Sequence, residues 1–142
     1  MKPDVFRLDI VSAEKKIFSG EIAMVFVTGE EGELGIAPGH SQLLTRLKPG
    51  YVRLVSTNQE ENVFYISGGL LEVQPYIVSV LADSAMRADD LDEEKALRAQ
   101  EEAQKILSGK ATRIDVARAM AELAEAAAQI QVARRFKRFK KQ

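Results

Sequence analysis

Short stretches in which apolar and polar residues alternate dominate the first part of the chain. In residues 5–11, Phe6, Leu8 and Ile10 point one way and the polar residues between them point the other, as in a strand with one buried face. Residues 22–27 are apolar throughout, which indicates a strand covered on both faces. Further strands are expected at residues 51–57, 62–67, 70–73 and 77–81, with turns at Pro38-Gly39, Pro49-Gly50 and Gly68-Gly69. This succession predicts an antiparallel β-sandwich or a barrel.

The pattern changes from strand to helix near residue 85 and is helical after Arg87. Asp90 is a helix-capping residue type, and Glu93 stands three residues later, the spacing of a capping box. The first helix is therefore expected over residues 91–107. It should stop at Gly109, because glycine suits the left-handed residue that closes many helices.

Thr112 and Asp115 repeat the capping signal, so a second helix should begin near Arg113. Two helices joined by so short a loop form an antiparallel hairpin. We therefore expect two domains, a β-sandwich over residues 1–85 and a helical hairpin over residues 86–142.

Apolar residues of the second helix recur at alternating intervals of four and three positions, which predicts a packing seam. The seam residues are Val116, Met120, Leu123, Ala127 and Ile130. Residues 111–133 contain nine alanines, which favour helix but bury little apolar area each. The second helix should thus be stable as a helix and weakly docked. That suits an element that detaches, although an ordinary alanine-rich hairpin has the same composition.

Charge is unevenly distributed along a nearly neutral chain. The formal net charge is −1, yet residues 134–142 hold six of the twenty basic side chains and none of the 21 acidic ones. A basic end on an otherwise acidic chain indicates that this end has its own partner. The acidic remainder would repel a nucleic-acid backbone, so no nucleic-acid partner is expected.

The composition also excludes several kinds of site. The chain has no cysteine, which excludes disulfides, thiolate metal sites and a cysteine nucleophile. Its start lacks the apolar stretch of a signal peptide, and no apolar run approaches the ~18 residues that span a bilayer. We expect a soluble, cytosolic protein without direct membrane insertion.

Catalytic motifs are missing from the sequence. The glycines of residues 29–35 stand beside three glutamates, which would repel phosphate, and no phosphate-binding loop motif is present. His40 is the single histidine, so no second imidazole can complete a metal site. The carboxylates of residues 89–94 lie at a helix start, where negative charge is favoured without a metal. The sequence therefore predicts a protein that is not itself an enzyme and holds no metal.

Several segments carry a family resemblance in their order and spacing. They are residues 8–14 and 18–20, 32–40 (GELGIAPGH), 43–45, 48–50, 67–73 (SGGLLEV) and 80–83 (VLAD). Together they resemble the epsilon subunit of bacterial F-type, proton-translocating ATP synthases over essentially the whole chain. The resemblance implies an N-terminal antiparallel β-sandwich of about ten strands followed by a C-terminal antiparallel two-helix hairpin.

The resemblance also implies a place in a rotary complex. The sandwich of this family sits at the foot of the central stalk, bound to the gamma subunit and resting on the ring of c subunits. The complex lies at the cytoplasmic face of the bacterial inner membrane, where the subunit is peripheral. The residues implied for these contacts are Thr28, Gly29, Glu31, Gly32 and His40. A surface turn with solvated acids is the alternative interpretation of this segment.

The hairpin of the family inhibits ATP hydrolysis when it extends into the catalytic head, where it meets the alpha and beta subunits. Some members bind ATP through an Ile/Leu-Asp-x-x-Arg-Ala pattern, which Ile114, Asp115, Arg118 and Ala119 match here. Strong binders resemble one another in carrying arginines further along the helix. This chain has Glu125 and Gln129 in the corresponding turns. ATP is therefore expected to bind weakly or not at all, and no other cofactor is implied.

The basic end is expected to be the inhibitory tip, anchored by charge to an acidic segment of the catalytic head. Its residues are Arg134, Arg135, Phe136, Lys137, Arg138, Phe139, Lys140 and Lys141. A solvated tail that only aids solubility is the alternative. Two other function classes, a freestanding ATP sensor and a nucleic-acid protein with a basic arm, account less well for this charge distribution.

Overall fold

The computed structural model of the chain describes residues 4–110 and 112–136. They form two compact units that divide between Arg87 and Ala88. The division falls just after the residue-85 boundary expected from the sequence, because a short strand at Ala85–Arg87 continues the first unit by pairing with an earlier strand.

The first unit contains nine strands among its described residues. They are β1 (Phe6–Val11), β2 (Lys16–Ile22), β3 (Met24–Gly29), β4 (Gly32–Ile36), β5 (Leu43–Val55), β6 (Glu61–Ile66), β7 (Gly69–Gln74), β8 (Ile77–Ala82) and β9 (Ala85–Arg87). Neighbours are hydrogen-bonded in the order β2-β1-β8-β7-β5-β3-β4, and β6 pairs with β5 and β9. The start of β5 pairs with β7, whereas its end pairs with β3 and β6. β5 thereby belongs to both layers of the sandwich.

The predicted fold class is confirmed, with one difference in strand direction. β1 and β8 run parallel, with Leu8 opposite Val78 and Ile10 opposite Val80, while the other strand pairs are antiparallel. Alternation along a strand reports which face is buried and does not report the direction of its neighbour.

Two strand predictions are wrong in detail. The apolar run of residues 22–27 is divided between β2 and β3, because Ala23 lies between them and donates its N–H to the carbonyl of Val55 at 2.8 Å. Pro49-Gly50 is not a turn but lies inside β5. Proline cannot donate to the strand ladder, and it stands between the part of β5 that pairs with β7 and the part that pairs with β6.

The core of the first unit lies between the two layers. It contains seventeen buried apolar residues drawn from the strands. Examples with 0% exposure are Leu8, Val25, Val52, Ile66 and Leu71. Apart from two tyrosines, the buried side chains in the part of the chain that the structure describes carry no polar or charged group. Apolar burial of this kind is the main stabilising contribution to the fold.

The second unit begins with a 3-10 turn, Ala88–Asp90, followed by α1 (Glu93–Ser108) and α2 (Arg113–Phe136). The predicted cap of α1 is wrong, because Asp90 belongs to the turn and Asp92 accepts the Lys95 N–H at 3.0 Å instead. The left-handed closure is wrong as well, since Gly109 has an extended backbone with φ −103°. The cap of α2 is confirmed by a 3.1 Å hydrogen bond from the Asp115 N–H to Thr112 Oγ1.

Candidate functional site

The β3–β4 turn presents a group of carboxylates. Glu30, Glu31 and Glu33 are exposed around this turn, and Gly32 closes it with φ +134°, a value that favours glycine. The Glu30 N–H donates to the carbonyl of Arg46 at 3.2 Å and so attaches the base of the turn to β5. The exposed acids are therefore held on a sheet rather than on a free loop.

Thr28 and Gly29, predicted as contact residues, have structural roles in this turn. Thr28 Oγ1 accepts the N–H of Tyr51 at 3.0 Å. A Cβ at Gly50 would lie 2.5 Å from Thr28 Cβ, and one at Gly29 would lie 2.7 Å from the carbonyl oxygen of Gly32. Close packing thus explains Gly29 and Gly50 without a partner, and Glu31 is the residue among the predicted contacts of this turn that has an exposed, charged side chain.

His40 lies at the other end of β4 from Glu31. β4 has five residues, which corresponds to about 17 Å at 3.4 Å per residue, and the turn of residues 37–40 follows it. In that turn Gly39 has φ +82° and donates its N–H to the carbonyl of Pro75 at 2.7 Å. His40 Nδ1 lies 2.7 Å from the carbonyl oxygen of Ser41. The structure does not bring His40 and Glu31 together, so they cannot form one small contact.

Three leucines form an exposed apolar row on the sheet that contains β5, β7 and β8. Leu70 is paired with Leu81 across β7 and β8, and Leu44 is opposite Glu72, which places it diagonal to Leu70 at about 7–8 Å. Leu44 is 69% exposed, and the other two are also exposed. A groove of about 330 Å³ adjoins Leu44 between residues 42–44 and 72–74.

The prediction from sequence missed this row, although a signal was present. Alternation requires one apolar residue of each neighbouring pair to point inward, yet Leu43-Leu44, Leu70-Leu71 and Val80-Leu81 are apolar at both positions. In each of the latter two pairs one residue is buried and the other is exposed. Doubled apolar residues in a strand covered on one face indicate that the outer face also needs a partner.

The helices of the hairpin meet through alanines. α1 buries Ala96 and Ala103, which are seven residues apart, and α2 buries Ala119, Ala126 and Ala133 at the same interval. A seven-residue interval keeps side chains on one seam. Small side chains on the seam let the two backbones approach closely.

Two of the five predicted seam residues are therefore wrong, each by one position in the chain. Met120 is 59% exposed and Ala127 is exposed, whereas Ala119 is only 1% exposed and Ala126 is buried. The other predicted members are closer to the seam, since Ile130 is buried and Val116 and Leu123 are half-buried. At the first of these sites the prediction chose the larger residue, Met120, where the helix buries the smaller Ala119; Ala126 and Ala127 have the same side chain, so residue size could not distinguish them.

The residues of the ATP-binding pattern do not share one environment. Ile114, Asp115 and Arg118 are exposed, and Ala119 is buried in the helix seam. Within the described residues Arg118 has no salt bridge shorter than 4 Å. Arg118 therefore does not pair with Asp115, which lies three residues before it.

The first residues of the predicted inhibitory tip lie at the end of α2. Arg134 Nε donates to Glu93 Oε2 at 2.7 Å. The Arg135 guanidinium lies 4.9 Å from the centre of the Phe136 ring, and Phe136 is buried. Lys137, Arg138, Phe139, Lys140 and Lys141 fall outside the described residues.

Comparisons with known proteins identify the family. The profile of the ATP synthase delta/epsilon chain β-sandwich domain matches residues 5–88, and that of the ATP synthase delta/epsilon chain long α-helix domain matches residues 89–134. The ATP synthase epsilon chain of Nitrosococcus oceani is 53% identical over 131 residues, covering 92% of this chain and 94% of that protein. The epsilon chain of Xylella fastidiosa is 54% identical over 132 residues, covering 93% and 94%. This chain belongs to the ATP synthase epsilon chain family.

Solved structures show that the fold of this epsilon family extends to distant relatives. A chain in the cryo-EM structure of the Euglena gracilis mitochondrial ATP synthase, with OSCP, F1 and c-ring, has a TM-score of 0.82 at 22% identity. The match covers 90% of this chain and 81% of that one. A chain in the Tetrahymena thermophila central stalk and c-ring structure has a TM-score of 0.63 at 13% identity, covering 93% and 98%. Membership makes the chain a subunit of the synthase and not its catalytic subunit.

The described residues of this epsilon-family chain provide neither a membrane-spanning helix nor a metal-ligand cluster. None of the helices they form has the length and apolar character needed to cross a bilayer. No group of three or more metal-ligating side chains is found among them.

Proposed function

We propose that this chain is a non-catalytic rotor subunit of a bacterial ATP synthase. It couples the catalytic head to the c-ring during proton-driven ATP synthesis, and it inhibits ATP hydrolysis when its C-terminal helices extend. The observation that carries the proposal is the division into two units, each with its own buried residues, at the boundary between Arg87 and Ala88. One unit can then stay attached to the stalk while the other changes conformation.

Two surfaces of the sandwich suit two rotor partners. The row of Leu44, Leu70 and Leu81 is the apolar surface that we assign to the gamma subunit, since such a row needs a permanent partner. The carboxylates around Glu31 suit a basic loop of the c-ring, because complementary charge fixes the orientation of a contact. His40 lies at the other end of β4 and would serve a different contact from Glu31.

The hairpin suits regulation because alanines occupy every second position of the α2 seam. A buried CH₂ group contributes about 0.8 kcal/mol, and the alanines of the seam bury few such groups. Closed and extended states that differ by only a few kcal/mol can be shifted by a partner. The extended hairpin would meet the alpha and beta subunits through the basic tip, and ATP would be at most a weak ligand of the closed form.

These roles place the chain at the cytoplasmic face of the inner membrane as a peripheral subunit. The decisive experiment compares the synthase assembled with the full chain and with a chain that ends at Arg87, which retains β9. The shortened chain should bind gamma and support ATP synthesis while ATP hydrolysis rises. Unchanged hydrolysis would contradict the inhibitory role, and failure to bind gamma would contradict the separation of roles.

The gamma surface has its own test. Leu70→Asp places a charge in the apolar row and should weaken binding to gamma by more than tenfold, because burying an unpaired charge costs several kcal/mol. Asn62→Asp adds the same charge at an exposed position of β6, a different strand from the three that hold the leucine row, and should leave binding nearly unchanged. Equal affinity of the two variants would contradict the assignment of the leucine row.

A further inference from the structure

The open end of the helical hairpin is joined by an ion pair. Glu93 is the first residue of α1 and Arg134 lies in the last turn of α2. The Arg134 Nε and Glu93 Oε2 atoms are 2.7 Å apart, and the two residues are 41 positions apart in the chain. Both side chains are partly exposed, so the pair is open to competition from solvent ions and from other charged groups.

The helix ends favour this charge arrangement independently of each other. A carboxylate is stabilised at the N-terminus of a helix and a guanidinium at the C-terminus, and the antiparallel hairpin brings those two ends together. Residues 89–94 contain five carboxylates, and the turn of Ala88–Asp90 also contacts α2. The end of α2 therefore already has an acidic neighbour within its own unit.

Arg134 is at the same time the first cation of the predicted inhibitory tip. An acidic segment of another subunit that binds the tip would have to take Arg134 from Glu93. The closed hairpin thus withholds a charge that the tip would use.

We propose that Glu93 competes with the acidic partner of the inhibitory tip for Arg134. Arg134 then becomes available to that partner only when α1 separates from α2. The inference rests on the proposed function of the tip and specifies how that function is held in check. A direct consequence is that removing the Glu93 carboxylate should favour both hairpin opening and binding of the tip to an acidic surface.

The test uses the full chain with spin labels on cysteines introduced at Glu101 in α1 and Glu122 in α2. Both positions are exposed, and the chain has no cysteine of its own, so labelling is specific. Distance distributions between the labels report the fraction of open hairpin. Glu93→Gln should raise the ratio of open to closed hairpin by about 1.5- to 5-fold, the range expected for an exposed ion pair.

Glu94→Gln is the matched control, since it removes the neighbouring exposed carboxylate with the same change in charge. It should leave the ratio near that of the wild type. Arg134→Glu alone should open the hairpin, because two carboxylates then face each other, and adding Glu93→Arg to it should restore closure relative to Arg134→Glu, since the pair re-forms with opposite polarity. Equal opening in the Glu93→Gln and Glu94→Gln chains, or equal opening in the Arg134→Glu and exchanged chains, would overturn the proposal.

A binding measurement tests the competition directly. Poly-L-glutamate serves as the acidic probe and should bind the Glu93→Gln chain more tightly than the wild type by a factor similar to the change in opening. The Glu94→Gln chain should bind it as the wild type does. Equal affinity of the Glu93→Gln and wild-type chains would refute competition. Neither measurement depends on ATPase inhibition, so failure of the inhibitory role would be recognised separately by the truncation at Arg87.

Discussion

The alanine seam of the hairpin leads to a prediction about one side chain and its neighbour. Ala126 is 3% exposed and belongs to the buried series with Ala119 and Ala133, whereas Ala127 is exposed. The interval of seven residues places Ala126 on the same face of α2 as Ala119 and Ala133. Ala126→Leu would replace a methyl group by an isobutyl group at the buried seam, and Ala127→Leu would make the same change at an exposed position.

The expected magnitudes differ because only one of the two positions is crowded. Inserting carbon atoms into a packed interface costs about 1–3 kcal/mol, which corresponds to roughly a 5- to 150-fold shift toward the open hairpin. An exposed substitution usually changes stability by less than about 0.5 kcal/mol, and leucine is nearly as good a helix former as alanine. Ala127→Leu should therefore shift the hairpin by no more than about twofold.

The assay uses the labels at positions 101 and 122 together with ATPase activity of the assembled synthase. Ala126→Leu should lengthen the distance between the labels and deepen the inhibition of ATP hydrolysis, with the helical circular dichroism retained. Ala127→Leu should match the wild type in both measurements. An equal response of the two variants would refute the seam described here, and a larger response at Ala127 would restore the seam predicted from the sequence.

Three further predictions concern the sandwich and the nucleotide. Gly69 has φ +150°, and a Cβ there would lie 3.0 Å from the Ala82 Cα and overlap the carbonyl oxygen of Leu81. Gly69→Ala should thus lower the free energy of unfolding by about 2–4 kcal/mol in urea, and a loss below 1 kcal/mol would contradict this. The hydrogen bond from Ser19, assisted by Arg7, lowers the pKa of Asp9 below its ordinary value of 3.8 against the effect of burial. This stabilisation is complete above pH 3.8 and is lost as pH falls through the lowered pKa. The difference in free energy of unfolding between wild type and Ser19→Ala should therefore shrink below about pH 4. A difference that does not change with pH would refute this prediction. Calorimetry should show weak or no ATP binding, because this chain lacks the arginines that strong binders carry further along the second helix. Tight binding that survives Arg118→Ala would contradict this explanation.

Local features of this protein were predictable from the sequence because they depend on neighbouring residues. The alternation of Phe6, Leu8 and Ile10 placed one face of β1 in the core, and the structure buries all three. Thr112 caps α2 as its spacing from Asp115 predicted. The contact assignments at Glu31 and His40 stay predictions, but the structure separates them by the length of β4 and gives Thr28 a hydrogen-bonding role within the fold.

Only the tertiary structure decided which residues meet across long distances in the chain. The parallel pairing of β1 with β8 and the contact of Glu93 with Arg134 join residues whose local sequences have no feature that specifies the partner. The helix seam shows the same limit, because hydrophobicity favours Met120 over Ala119, whereas the distance between the helices favours the smaller side chain. The exposed Leu44 and Leu81 look like core residues in the sequence and become a surface only when the sheet directs them outward. Periodicity therefore determines the type of each element and its buried face, and packing between distant elements determines which surface remains for a partner.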